Sequence, residues 1–237
     1  MNFKASVLAA CVLATSISFA QKMDSFDEHV ADYRLLQSKK IQVEVGISEA
    51  QRTRLNEIAT AQRTEVVPYL QQLQKQGKTS AELDSDPKYL AYIFKYRTQF
   101  LMALNPRQLQ RLRELSLQNV DVVGALDIVV SKRIGLSADQ LKRARDAYGV
   151  GVKKSQAIMM QVNQIVTGPY KNVKVTTQAQ AKTINEAMQK AQTAEIKKRQ
   201  PEITRVQLET KNSILAVFTS KQISAYRALQ GKAFSPK

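Results

Sequence analysis

Apolar and polar residues follow the period of an α-helix along most of the chain. Apolar side chains recur three or four positions apart, as in Leu55 with Ile58 and Leu112 with Leu115, and this spacing places them on one face of a helix. Gln, Lys, Arg, Ala and Leu, which favour helices, are abundant, and only 8 Gly and 6 Pro occur in 237 residues. The pattern predicts an all-α protein.

One short motif occurs four times. It consists of an apolar residue, then Ser, Thr or Asn, then two variable positions and Gln. Its copies are Ile47-Ser48-Glu49-Ala50-Gln51, Leu104-Asn105-Pro106-Arg107-Gln108, Leu136-Ser137-Ala138-Asp139-Gln140 and Phe218-Thr219-Ser220-Lys221-Gln222. Each copy has the chemistry of a capping box, in which the second residue accepts from the backbone N–H of Gln and the Gln side chain reaches back. Each copy therefore predicts the start of a helix.

The four copies divide the chain into two units. Gly46 and Gly135, which suit the left-handed end of a helix, precede the first and third copies. The N-cap residues of those copies, at positions 48 and 137, are 89 positions apart. We expect two tandem helical-hairpin units with long antiparallel helices, over residues 21–119 and 120–237, in an elongated or cradle-like molecule.

The motifs, together with the positions of Gly and Pro, also predict where the helices begin and end. Helices are expected near 49–75, 87–103, 106–119, 121–134, 138–166, 177–217 and 220–231, after a lead-in helix capped by Ser25 with Glu28 at N3. Residues 77–86 and 167–169 should form the hairpin loops. Pro201 should kink the longest helix unless it opens a new segment. An alanine-rich stripe is expected to form the interior of that helix: Ala179, Ala181, Ile184, Ala187, Met188, Ala191 and Ala194.

The first 20 residues have the pattern of a signal peptide. Lys4 is followed by an uncharged, mostly apolar run over 5–19, and Ser18-Phe19-Ala20 places small residues before a cleavage point. The run is shorter than the roughly 20 residues that span a bilayer. We expect cleavage after Ala20 and export to the periplasm. Lipoprotein processing at Leu8-Ala9-Ala10-Cys11, which would anchor the chain through Cys11, is the alternative.

Charge narrows the classes of partner. The chain has 36 Lys and Arg against 20 Asp and Glu, a net charge of +16, and cleavage after Ala20 would leave +15. In an exported protein such a charge attracts anionic lipid head groups, envelope polymers or acidic polypeptides. Because we expect export to the periplasm, we do not expect nucleic acid to be the partner. Two clusters of basic residues lie on the long hairpin, Lys153-Lys154 and Lys197-Lys198-Arg199. They form either a solvated face or a basic strip that binds anionic partners.

Few residues suggest catalysis or metal binding. The single Cys11 and the single His29 exclude Cys/His zinc sites and Ser–His or Cys–His catalysis within one chain. His29 adjoins Asp27, Glu28 and Asp32, of which only Glu28 and Asp32 have i,i+4 spacing, so an acidic first helical turn is favoured over a metal site. The sequence predicts no catalytic residue, no cofactor and no metal.

Three further patterns have alternative interpretations. The acids at Glu82, Asp84 and Asp86 are interpreted as a turn because the glycine and closing glutamate of a calcium loop are missing. Gly149-Val150-Gly151 lies within a helical pattern and predicts a flexible point or a close helix crossing rather than a phosphate loop. Met159-Met160 is more consistent with core packing than with an adaptable surface for clients.

At its four motifs the sequence resembles the LTxxQ-motif proteins of the bacterial periplasm, the Spy and CpxP group, with two units in tandem. The resemblance covers most of residues 41–232, although none of the copies reads Leu-Thr-x-x-Gln in full. It implies a long helical cradle, often dimeric, that binds unfolded or stressed envelope proteins without ATP. The motif residues carried over from the family are Ile47, Ser48, Gln51, Leu104, Asn105, Gln108, Leu136, Ser137, Gln140, Phe218, Thr219 and Gln222.

Three classes of function remain open on the sequence alone. The leading hypothesis is an exported ATP-independent chaperone-like or envelope-stress protein that is not an enzyme and binds unfolded or anionic partners. The alternative is a structural or scaffold helical protein of the cell envelope without chaperone activity, whose long hairpin pairs with a second copy or with the cell envelope. An exported enzyme is the third class, and the lack of a catalytic constellation disfavours it.

Overall fold

The computed structural model describes residues 24–235, and over that range the chain forms ten α-helices and three 3-10 segments without a β-strand. The prediction of an all-α protein is confirmed. The expected signal peptide and the alternative lipidation site at Cys11 lie outside the described residues.

Most helix bounds are close to the predicted ones, but residues 80–84, expected in a hairpin loop, form a short helix capped by Thr79. The first six helices are α1 (Ser25–Val30), α2 (Lys39–Val45), α3 (Glu49–Lys75), α4 (Ser80–Asp84), α5 (Pro87–Met102) and α6 (Pro106–Val120). The last four are α7 (Ile128–Arg133), α8 (Ala138–Thr167), α9 (Gln178–Leu215) and α10 (Ser220–Gln230). The 3-10 segments are Tyr33–Gln37, Asp121–Leu126 and Gly168–Tyr170. All four motifs begin a helix with both bonds of a capping box, as predicted.

Some local predictions are wrong. Helix α1 is capped by Asp24 instead of Ser25, because the Asp24 carboxylate accepts from the backbone N–H of Phe26. The helix expected over 121–134 is split, because the Asp127 side chain caps α7 and ends the preceding 3-10 segment. Of the two alternatives given for Pro201, the start of a new segment does not occur, since α9 continues through this residue.

Helices α3 and α5 pack antiparallel in the N-terminal half. Nζ of Lys95 lies 2.7 Å from Oε2 of Glu65, and Nε2 of Gln51 lies 2.9 Å from the carbonyl oxygen of Ala103 at the other end of the pair. Large side chains fill the space between these helices, α2 and α6. The first core includes Leu36, Leu55, Ile58, Tyr96, Phe100, Leu104, Leu109 and Leu112.

Helices α8 and α9 form a longer antiparallel pair. Nζ of Lys154 lies 3.0 Å from Oε2 of Glu209, and Nη1 of Arg199 lies 2.7 Å from Oε1 of Gln161. The 38 residues of α9 span about 57 Å. We call α8, residues 168–177 and α9 the arm. The second core, at the base of the arm, includes Leu117, Val122, Val130, Ala144, Ile214, Phe218 and Tyr226.

Helix α6 contributes to both cores and connects them. Leu112 is fully buried in the first core, and Leu117 is 1% exposed in the second. Between them the buried Arg113 guanidinium pairs with Asp27 at 2.9 Å and donates to the carbonyl of Leu229. Both ends of the described chain are therefore held against α6.

The expected alanine-rich interior of α9 is only partly observed. Ala181, Ile184, Ala187 and Met188 are half-buried, whereas Ala179, Ala191 and Ala194 are exposed. The buried residues of α9 are Val206 and Ile214, both in its C-terminal half. The buried residues of the distal part of the arm therefore come from α8, which contributes Ile158, Val162 and Val166.

Candidate binding surface

The first two motifs meet through their glutamines. Nε2 of Gln51 lies 2.7 Å from Oε1 of Gln108, and Nε2 of Gln108 lies 2.9 Å from Oε1 of Gln51. Gln51 also donates to the carbonyl of Ala103 at 2.9 Å, and Gln108 donates to the carbonyl of Gly46 at 2.7 Å. The first glutamine pair therefore joins the starts of α3 and α6 to the ends of α2 and α5.

The third and fourth motifs meet in the same way. Nε2 of Gln140 lies 3.0 Å from Oε1 of Gln222, and the reciprocal bond measures 2.9 Å. Gln140 also donates to the carbonyl of Val217 at 3.1 Å, and Gln222 donates to that of Gly135 at 2.7 Å. The second glutamine pair thus joins the starts of α8 and α10 at the base of the arm.

These contacts explain why Gln, and not Glu, completes all four motifs. Glutamate at N3 satisfies a capping box, but it accepts hydrogen bonds without donating any. The box at Thr79, which has no second box against it, uses Glu82. The four boxes were predicted from the sequence, but their pairing was not. The signal for the pairing is the NH₂ group of each Gln, which the capping box leaves without a partner.

The remaining motif positions have structural roles. Ile47, Leu104 and Phe218 are buried, and Leu136 is half-buried against the second core. The motif residues therefore hold helix starts together. Their apolar and Gln positions are buried or half-buried, and the exposed members are the capping residues Ser48, Asn105, Ser137 and Thr219. A binding surface has to be sought elsewhere.

An apolar groove lies where the base of the arm meets the Asp121–Leu126 segment. Its volume is about 810 Å³. The apolar side chains that line it are Val120, Val122, Val123, Tyr148, Val152, Met159 and Leu208. Leu208 is 57% exposed, Val120 45% and Met159 39%. We call this concavity the arm groove, since exposed apolar grooves of this kind mark binding surfaces on soluble proteins.

A strained residue stands at the edge of the arm groove. Asp121, with φ 48°, has a positive φ that elsewhere among residues 24–235 occurs only at glycines. Its carbonyl accepts from the Tyr226 hydroxyl, whose pKa is raised by burial, and its carboxylate lies 2.6 Å from Nζ of Lys211. Strain of this kind costs about 1–3 kcal/mol and clusters at functional sites.

Positive charge is concentrated on the C-terminal half. Residues 21–119 contain 15 basic and 12 acidic side chains, a net charge of +3, whereas residues 120–237 contain 20 and 8, a net charge of +12. The stretch from 147 to 185 has five lysines and no acidic residue. The arm is therefore the basic part of the molecule.

The acids around His29 do not converge on it. Nε2 of His29 lies 3.0 Å from Oδ2 of Asp127, while Asp27 pairs with Arg113 and Asp32 with Arg34. Among the described residues, no group of three or more His, Cys, Asp or Glu side chains has the arrangement of a metal site.

Two predictions about α8 have different outcomes. The close helix crossing at Gly151 is confirmed, because a Cβ atom added there would lie 2.0 Å from Oγ1 of Thr210. Core packing of the methionines is wrong, since Met159 is 39% and Met160 63% exposed. Helix α9 covers one side of α8, where Ile158 and Val162 are buried, and leaves both methionines outside.

Comparison of the chain with models of protein families, with curated proteins and with solved structures gives no match. The resemblance to the LTxxQ-motif proteins therefore rests on the four motifs. None of the helices within residues 24–235 combines the length and apolarity needed to cross a bilayer.

Proposed function

We propose that this protein is an exported, ATP-independent chaperone-like protein that binds unfolded envelope polypeptides in the arm groove. The observation that carries the proposal is the exposed apolar wall formed by Val120, Met159 and Leu208. Apolar segments of an unfolded chain would bury this surface and their own, which favours association at about 25 cal/mol per Å².

The side chains of the groove suit varied clients. Met159 is unbranched and polarizable, so it adapts to side chains of different shape. The net charge of +12 over residues 120–237 favours acidic segments. Affinity for such segments should fall as salt rises, because exposed charges are screened.

The four motifs add independent support. They resemble those of a family of periplasmic chaperone-like proteins, and residues 1–20 have the pattern of a signal peptide.

Light scattering of a chemically unfolded client, without ATP and at two salt concentrations, tests the proposal. We expect near-stoichiometric protein to suppress aggregation. The double variant Met159→Gln, Leu208→Ser should lose most of that effect, since both side chains line the groove. Met160→Gln is the matched control, because Met160 is more exposed at 63% but does not line the groove.

Two results would count against the proposal. Unimpaired aggregation of several clients of both charge signs would contradict chaperone activity. Equal loss in the double variant and in Met160→Gln would contradict the arm groove as the binding surface. Circular dichroism of each variant establishes that the fold is retained.

A structural role is the second candidate. It is favoured by the exposed small residues Ala179, Ala191 and Ala194 on the distal half of α9, which permit close approach of another helix. A second copy would bury this face in a homodimer of two arms. Sedimentation equilibrium showing a stable dimer, together with no suppression of aggregation, would favour this role over the first.

A further inference from the structure

The tip of the arm alternates exposed valines with exposed lysines. Val173 is 49% and Val175 51% exposed, and both Lys171 and Lys174 are exposed beside them. We call residues 168–177 the arm tip. We propose that the arm tip docks on a bilayer surface rich in anionic lipid.

Charge complementarity selects the anionic surface. The 39 residues from 147 to 185, which contain the arm tip, include five lysines and no acidic residue. The connection between α3 and α5, which contains α4, occupies the corresponding place in the N-terminal half and carries Glu82, Asp84 and Asp86. A surface that repels this connection therefore attracts the arm tip.

The position of the arm tip gives it access to a flat surface. It lies at the start of α9, a helix about 57 Å long. Both buried residues of α9, Val206 and Ile214, lie toward its other end. The arm tip therefore stands away from the cores, with no part of either core beside it.

The composition of the arm tip favours a bilayer over a polypeptide as its occupant. Val173 and Val175 supply apolar area to the acyl boundary, while lysine side chains keep their charge among the head groups. The arm groove, which has the concavity to hold an extended chain, is lined by residues between 119 and 211 outside 168–177. An interfacial ligand requires no concavity, whereas a bound polypeptide segment does.

The chain contains no tryptophan, so one introduced at the arm tip reports on that site alone. We would titrate Val173→Trp with vesicles of phosphatidylcholine and with vesicles containing added phosphatidylglycerol. We expect a blue shift of the Trp emission with the anionic vesicles only. Gln76→Trp, at the exposed turn after α3, is the matched control and should not shift.

Charge removal at the arm tip sharpens the test. Each lysine near an anionic surface contributes about fivefold to partitioning. Lys171→Gln with Lys174→Gln, in the Val173→Trp background, should weaken vesicle binding about 25-fold. Lys75→Gln with Lys78→Gln, in the same background, should leave binding unchanged because those lysines lie at the other turn.

Three results would overturn the proposal. The first is a Trp emission of Val173→Trp that does not shift with any vesicle. If the protein nevertheless sediments with the vesicles, it binds them through another surface. The second is an equal shift with neutral vesicles. The third is a shift with an unfolded polypeptide and none with anionic vesicles, which would make the arm tip part of the client surface. Chaperone activity is measured without lipid, so failure of either proposal leaves the other intact.

Discussion

The two long antiparallel helix pairs begin alike and differ in what they bury. Both start from a capping box whose Gln is paired with that of a later box. The α3–α5 pair packs against α2 and α6 and places Tyr96 and Phe100 in a core, with the Phe100 ring stacked 4.8 Å from Tyr33. The distal arm has neither an added layer nor an aromatic core.

The difference shows that a shared helix-start motif does not set the role of the helices that follow it. Side chains over 49–102 supply a large apolar interior. Residues 178–205 are largely Ala, Gln, Thr and Lys, and none of them is fully buried. Stability is therefore concentrated in the N-terminal half and around α6.

The glutamine pairs provide the sharpest test of this asymmetry. Gln108 is 7% exposed, whereas Gln222 is only half-buried. Gln108→Glu removes both donors and places a charge against two carbonyl-type oxygens, which should cost about 3 kcal/mol of unfolding free energy. Gln222→Glu should cost about 1 kcal/mol, because water can satisfy the freed groups.

Urea unfolding measures both values. Glu82→Gln, in the box that has no partner box, is the control and should change stability by less than about 0.5 kcal/mol. Equal losses at Gln108 and Gln222 would show that the two pairs are equally buried in solution, contrary to the structure.

The helix crossing at the base of the arm gives a second test. Gly151→Ala would force its Cβ into Thr210 and should cost about 2 kcal/mol by overpacking. Gly149→Ala, two residues away with no atom within 4 Å of the added Cβ, should stabilise the helix by about 0.5–1 kcal/mol. Thermal unfolding of both variants should give shifts of opposite sign. Shifts of the same sign would argue against close packing of α8 on α9 at this point.

The connection between the halves should respond to a third change. Asp121→Gly removes the strain of the positive φ, which should stabilise the protein by about 1 kcal/mol. The same change also removes the ion pair with Lys211, and this loss reduces the gain. Lys211→Ala measures that ion pair separately and should cost less than about 1 kcal/mol. If Asp121→Gly destabilises by more than Lys211→Ala, the backbone at residue 121 is not strained.

The smallest expected effect is one of pH. Burial opposes the charge of Asp127, but hydrogen bonds with His29 and from the backbone of Val130 and Val129 keep the pKa of Asp127 below its usual value of 3.8. A lowered pKa stabilises the fold above about pH 4, and this contribution disappears as the pH falls through the folded-state pKa. The partial exposure of Asp127 limits its size to less than about 1 kcal/mol.

Asp127→Asn tests this contribution because Asn still caps a helix. The variant should lose less stability than the wild type between about pH 5 and pH 3 in thermal unfolding. Parallel pH curves for the two proteins would show that the Asp127 charge does not contribute.

Local chemistry accounts for what could be predicted. The four capping boxes act within four residues, so their helix starts followed from the sequence. The crossing at Gly151 was also predictable, because a glycine inside a helical pattern indicates close packing. Competing caps caused the local errors: Asp24 replaces Ser25 at α1, and Asp127 divides the helix expected over 121–134.

The candidate surfaces were less accessible to prediction. Periodicity identifies an apolar face but not how much of it a neighbour covers, so Met159 was assigned to the core although it lines the arm groove. The valines and lysines of residues 171–175 were visible in the sequence. Their exposure at the end of a projecting arm was not.

The sequence by itself determined the all-α class, the four helix starts and the concentration of charge, because each depends on neighbouring residues or on composition. Tertiary structure alone decided that Gln51 pairs with Gln108 and Gln140 with Gln222, across 57 and 82 positions. It also decided which apolar residues stay exposed. These outcomes depend on which helices meet, and that is set by packing of the whole chain and not by any local segment.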